Sequence, residues 1–127
     1  MSNIIEKIKN GQYHIGDYEL FGYMFKNNIF GFSIIDKNGD DIHGEYDMST
    51  NEFIFLDAST LEEVEDLYSD ETVKNELIKL SKNSELKDYW DDYVKSLSVE
   101  DATKLALLGK INKNGIIDIT AMGPYIK

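Results

Sequence analysis

Cysteine is absent from this chain, and with it disulfides, thiolate nucleophiles and zinc–thiolate sites. Arginine is absent as well, so all thirteen basic residues are lysines. Guanidinium is the usual group for bidentate recognition of phosphate, carboxylate and guanine edges. Without it, and with a formal net charge of −11, the chain would have to overcome repulsion to bind a phosphate backbone. Direct nucleic-acid binding is not expected. Histidine occurs only as His14 and His43, and proline only as Pro124. No apolar run approaches a membrane span, and the first residues, Met1 to Lys9, lack the apolar stretch of a secretory leader. The expectation is a soluble, cytoplasmic protein.

Motifs are missing too. No Gly-rich phosphate cradle, Gly-x-Ser-x-Gly or His-Glu-x-x-His is present, and no motif implies a cofactor. With two histidines the repertoire for general acid–base work is narrow. A non-enzyme is the preferred reading.

What is present fits one domain over residues 1–127, long enough for a hydrophobic core without staples. Residues 2–10 read as a short helix with Ile4, Ile5 and Ile8 on one side, ended by Asn10-Gly11. From Asp17 to Asp57 the period is two. Strand-like runs at 18–25, 29–35, 41–47 and 52–56 are separated by connections short enough to allow only antiparallel neighbours. Asn38-Gly39 is the clearest turn signal. The first two strands are apolar on both sides and read as central or covered. The third alternates, with Asp41, His43, Glu45 and Asp47 on one face, which should be wet.

Helices follow residue 58, with serines at their starts. Ser59-Thr60-Leu61-Glu62 has a capping-box pattern and should set Leu61, Val64 and Leu67 inward. Ser69-Asp70-Glu71 and Ser84-Glu85 precede two more apolar stripes, the second containing Leu86, Tyr89, Trp90, Tyr93 and Val94. Ser98-Val99-Glu100-Asp101 would open a last helix closed by Gly109, and residues 110–120 a hairpin or returning strand. The fold class is therefore α+β: a short N-terminal helix, a four-stranded antiparallel meander, about four helices, and a short C-terminal hairpin or strand.

Three constellations suggest chemistry. Asp36, Asn38 and Asp40 have the alternate spacing of a calcium loop, with Asp47 at its twelfth position. Asp41 stands where that loop needs glycine, and an ordinary hairpin turn is preferred. His43, Glu45 and Asp47 alternate on one strand face, but same-face neighbours lie about 7 Å apart, too far to converge on one metal unaided. Tyr89, Trp90 and Tyr93 could anchor an interface, although a core role is preferred.

The remaining feature is charge distribution. From Asn38 to Val73 there are twelve carboxylates and no lysine. A helix bearing Glu62, Glu63, Glu65 and Asp66 on its outer side would lose a few tenths of a kcal/mol for each like-charge pair, with no evident folding return. The expected working surface is Glu62, Glu63, Glu65, Asp66, Asp70 and Glu71, together with Asp41, Glu45 and Asp47. Its expected partner is a basic protein, a nucleic-acid-handling enzyme or a toxin. A small acidic inhibitor fits this, either a nucleic-acid mimic of the phage anti-CRISPR or anti-restriction kind or a toxin-immunity protein. The alternatives are a small enzyme or ligand-binding domain with its site between sheet and helices, and a structural or homo-oligomeric accessory protein.

Overall fold

The computed structural model describes residues 4–26 and 28–96. Helix α1 (Ile4–Lys9) leads into a five-stranded antiparallel sheet: β1 (His14–Ile15), β2 (Tyr18–Lys26), β3 (Ile29–Ile35), β4 (Asp41–Asp47) and β5 (Glu52–Asp57). Strand order follows chain order, and the sheet curls into a half-barrel. Helices α2 (Glu65–Tyr68), α3 (Glu71–Ser81) and α4 (Ser84–Lys95) come after it. The helix and the hairpin expected beyond residue 96 lie outside the described residues. Among the described residues no helix is long and apolar enough to cross a membrane.

The sheet has five strands where the sequence pattern predicts four. The extra one is β1, whose His14 and Ile15 pair with Glu19 and Tyr18. Gly16, at φ +60°, makes the tight turn between them. Two residues are too few to show a period, so this segment reads as a polar connection until Ile15 is seen fully buried. The Asn38-Gly39 turn forms as expected. Gly39 adopts φ +87°, and the Asp36 carboxylate accepts from the N–H groups of Asn38 at 2.8 Å and Asp40 at 3.0 Å.

Register assigns each side chain to a face. Leu20, Tyr23, Phe25, Phe30, Phe32, Ile34, Ile42, Tyr46 and Phe55 share the first face, a bulge at Phe21 keeping Leu20 and Tyr23 on the same side. The helices cover this face. The Tyr23 hydroxyl donates to the Leu86 carbonyl at 2.7 Å, tying β2 to α4. A file of aromatic contacts runs from Trp90 through Tyr23, Phe30, Phe32 and Phe55 to Tyr68, with ring centroids 5.2–6.4 Å apart. Trp90 therefore belongs to the core, and Tyr89 and Tyr93 are half-buried against it. Gly44 makes room for this arrangement: a Cβ there would strike the Ile54 carbonyl oxygen and come within 2.7 Å of the Phe32 ring.

Two of the helix starts are capped by residues other than the expected serines. The Asp70 carboxylate accepts from Val73 N–H at 3.1 Å, and the Asn83 side chain accepts from Leu86 N–H at 3.0 Å. Both are established cap residues, and each stands immediately before its helix.

Candidate functional site

The acidic segment after β5 is built by Asp57. Its carboxylate accepts from the N–H groups of Ser59 at 2.8 Å and Thr60 at 3.1 Å, and its carbonyl accepts from Leu61 N–H at 2.8 Å. Asp57 thereby takes the Ser59 N–H that a capping box would have used, and Glu62 N–H, the other donor of that box, bonds Thr60 Oγ1 at 3.2 Å, so the helix expected from Ser59 does not form. The chain turns through Leu61 at φ +63° instead. Residues 62–64 then run back along β5, with Leu56 bridged to Glu63 and Val64 N–H donating to the Phe55 carbonyl at 3.0 Å. Tyr68 closes the edge: its hydroxyl accepts from Phe55 N–H at 3.0 Å and donates to Glu63 Oε1 at 2.9 Å. The last turns of β5 are thus shielded from another strand.

This geometry corrects the expected inward face. Val64 is half-buried and Leu67 buried, but Leu61 is 53% exposed. Helix α2 begins only at Glu65, so Glu62 and Glu63 are not on a helix and the like-charge helix pairs that involve them do not arise. The turn leaves a cleft of about 640 Å³ lined by Ile54, Leu56, Leu61, Glu62, Glu63 and Glu65. Aliphatic and carboxylate side chains both line it.

The expected surface residues divide into groups. Glu62, Glu63, Glu65 and Asp66 are exposed, and three of them line the cleft. Glu71 is exposed beside Lys74 at 3.7 Å, while Asp70 is half-buried and occupied in capping α3. Asp41 and Asp47 lie at the two ends of β4, away from the cleft's lining. The Asp47 carboxylate holds the following turn by accepting from Ser49 Oγ at 2.6 Å and Ser49 N–H at 2.8 Å, which keep its pKa below the usual carboxylate value.

Glu45 departs furthest from expectation. The face of β4 expected to be wet is buried, with Glu45 only 7% and His43 3% exposed. Ser33, fully buried, is the register partner of His43 on β3, while Glu45 lies between Gly31 and Ile54. Burial, and then the nearby Asp47 charge, push the Glu45 carboxyl up to about 7. Neither Glu45 Oε2 nor Ser33 Oγ has a hydrogen-bond partner among the described residues. The row is thus a buried one. Its signal was on the neighbouring strands, where Met24, Ile54 and Leu56 share this face and mark it as covered. Alternation within β4 alone could not show that.

Among the described residues, no group of three or more His, Asp or Glu side chains is placed to hold one metal ion. No protein-family model matches the chain, and neither a curated protein nor a solved structure is matched by it.

Proposed function

We propose that this protein works by binding: it presents carboxylates to a positively charged site on another protein and occupies that site. The observation that carries this reading is the state of Glu62, Glu63, Glu65 and Asp66. All four are exposed, and among the described residues none forms an ion pair, whereas Glu71, Glu76 and Asp91 each have a lysine within 4 Å. Four close, unneutralised carboxylates create a local field that attracts cations and repels phosphates. A surface of this kind suits a cytoplasmic inhibitor of a nucleic-acid-handling enzyme, in the manner of the phage anti-CRISPR and anti-restriction proteins, or a toxin-neutralising immunity protein. No catalytic step is part of this reading. A ligand site between sheet and helices has less support, because Tyr23, Phe30, Phe32 and Phe55 fill that interface.

The experiment is affinity capture from the native host's lysate with the wild type beside a variant carrying Glu62→Gln, Glu63→Gln, Glu65→Gln and Asp66→Asn. Glutamine at 63 keeps an acceptor for the Tyr68 hydroxyl, so the turn is preserved. The expected outcome is one basic protein retained by the wild type and lost by the variant. Equal retention by both would move the interface elsewhere.

A further inference from the structure

The second face of the sheet is closed, yet helices α2, α3 and α4 lie on the first. Met24, Ser33, His43 and Glu45 belong to the second face and are only 0–7% exposed. Tyr68 of α2 meets Phe55, Lys74 of α3 sits over the Phe53 ring, and Trp90 of α4 meets Tyr23, all on the first face. A sheet keeps water from both faces only when a second layer lies on each.

We propose that residues 97–127 of this chain supply that layer, seated on the face that bears Ser33, His43 and Glu45. Reach allows it. Helix α4 is held against β2 through Leu86 and Trp90, and Ser96 follows it directly. Passing from one face of a sheet to the other spans about 10 Å, or roughly three or four extended residues. The segment has 31. Charge favours it as well. Residues 97–127 carry four lysines against three carboxylates, whereas residues 1–96 carry nine against twenty-one. The cationic part of the chain thus meets a face that holds Asp41, Glu45 and Asp47. Leu105, Leu108, Ile116, Ile117 and Ile119 give the segment apolar side chains enough to cover Met24 and Ile54. Ser33 Oγ and Glu45 Oε2, buried with no hydrogen-bond partner among the described residues, are the atoms that its polar groups satisfy. Seated there, the segment denies this face to a second copy of the chain, so homo-oligomers do not form through it.

The test uses the full chain, whose lack of cysteine allows one nitroxide to be attached through Lys113→Cys. Methyl signals of Met24 and Ile54 report on the second face, and those of Leu77 and Leu80 on the helical side. With the nitroxide oxidised, Met24 and Ile54 are expected to lose most of their intensity while Leu77 and Leu80 keep theirs. With it reduced, the spectrum should overlay that of wild type, which shows that the label leaves the fold intact. Loss at Leu77 and Leu80 in place of Met24 and Ile54, or loss at neither pair, would overturn the proposal. A mixture of isotope-labelled wild type with unlabelled nitroxide-bearing chain separates the remaining case. Loss at Met24 and Ile54 in that mixture would assign the face to a second copy and overturn the intramolecular seat.

Discussion

At Glu45 a carboxyl group is held in a place that opposes its charge, and the consequence can be read as a function of pH. Its folded-state value of about 7 stands above the 4.5 of an unburied glutamate. Between those values the folded chain holds a proton that the unfolded chain has released, so stability falls as pH rises through this window and levels off above it. The contribution is fully present below pH 4.5. Glu45→Gln removes the titration while preserving the shape. We expect urea denaturation to show wild type and variant alike near pH 4.5, with the variant more stable at pH 8 by on the order of 2 kcal/mol. An unchanged difference between the two pH values would contradict this account. None of it could be read from the His-x-Glu-x-Asp spacing, because a period of two identifies which residues share a face and leaves open what lies over that face.

The elements divide according to whether local chemistry had one claimant or two. The Asn38-Gly39 hairpin had one: strand-forming runs on both sides and a turn needing positive φ, met by Gly39 and by the bonds to Asp36. The segment after Asp57 had two. A capping box starting at Ser59 competed with an aspartate turn starting two residues earlier, and Asp57 took the N–H groups of Ser59 and Thr60. Serine also misdirects the reading at α3, where Asp70 is the cap and Ser69 Oγ instead donates to the Asp66 carbonyl at 3.2 Å. Asp70→Ala should therefore cost about 1 kcal/mol in chemical denaturation, and Ser69→Ala much less. The reverse order would restore serine as the cap. The stripe of α4 was legible because its apolar positions persist over three turns, and Leu86 and Trp90 are buried as that stripe requires.

For the molecule as a whole, the α+β character, the antiparallel meander and the inner position of β3 were legible from hydrophobic period and connection length, whereas β2 is inner because β1 pairs with its other side. The fifth strand was not, since β1 has only two residues, and neither was the burial of both sheet faces around β4. The acidic segment was conspicuous in composition, yet the form it takes depends on long-range contacts that composition does not carry. Glu63 is fixed by Leu56 and Tyr68, and the cleft exists because residues 62–64 fold back on β5. The proposed binding function depends on the four carboxylates of this segment that have no ion pair among the described residues. Once the partner is captured, the most direct measurement is displacement of labelled nucleic acid from it. Wild type is expected to displace the nucleic acid stoichiometrically, while the variant with Glu62→Gln, Glu63→Gln, Glu65→Gln and Asp66→Asn fails to do so at about ten times the concentration. Displacement by the variant at the same concentration as wild type would contradict this expectation.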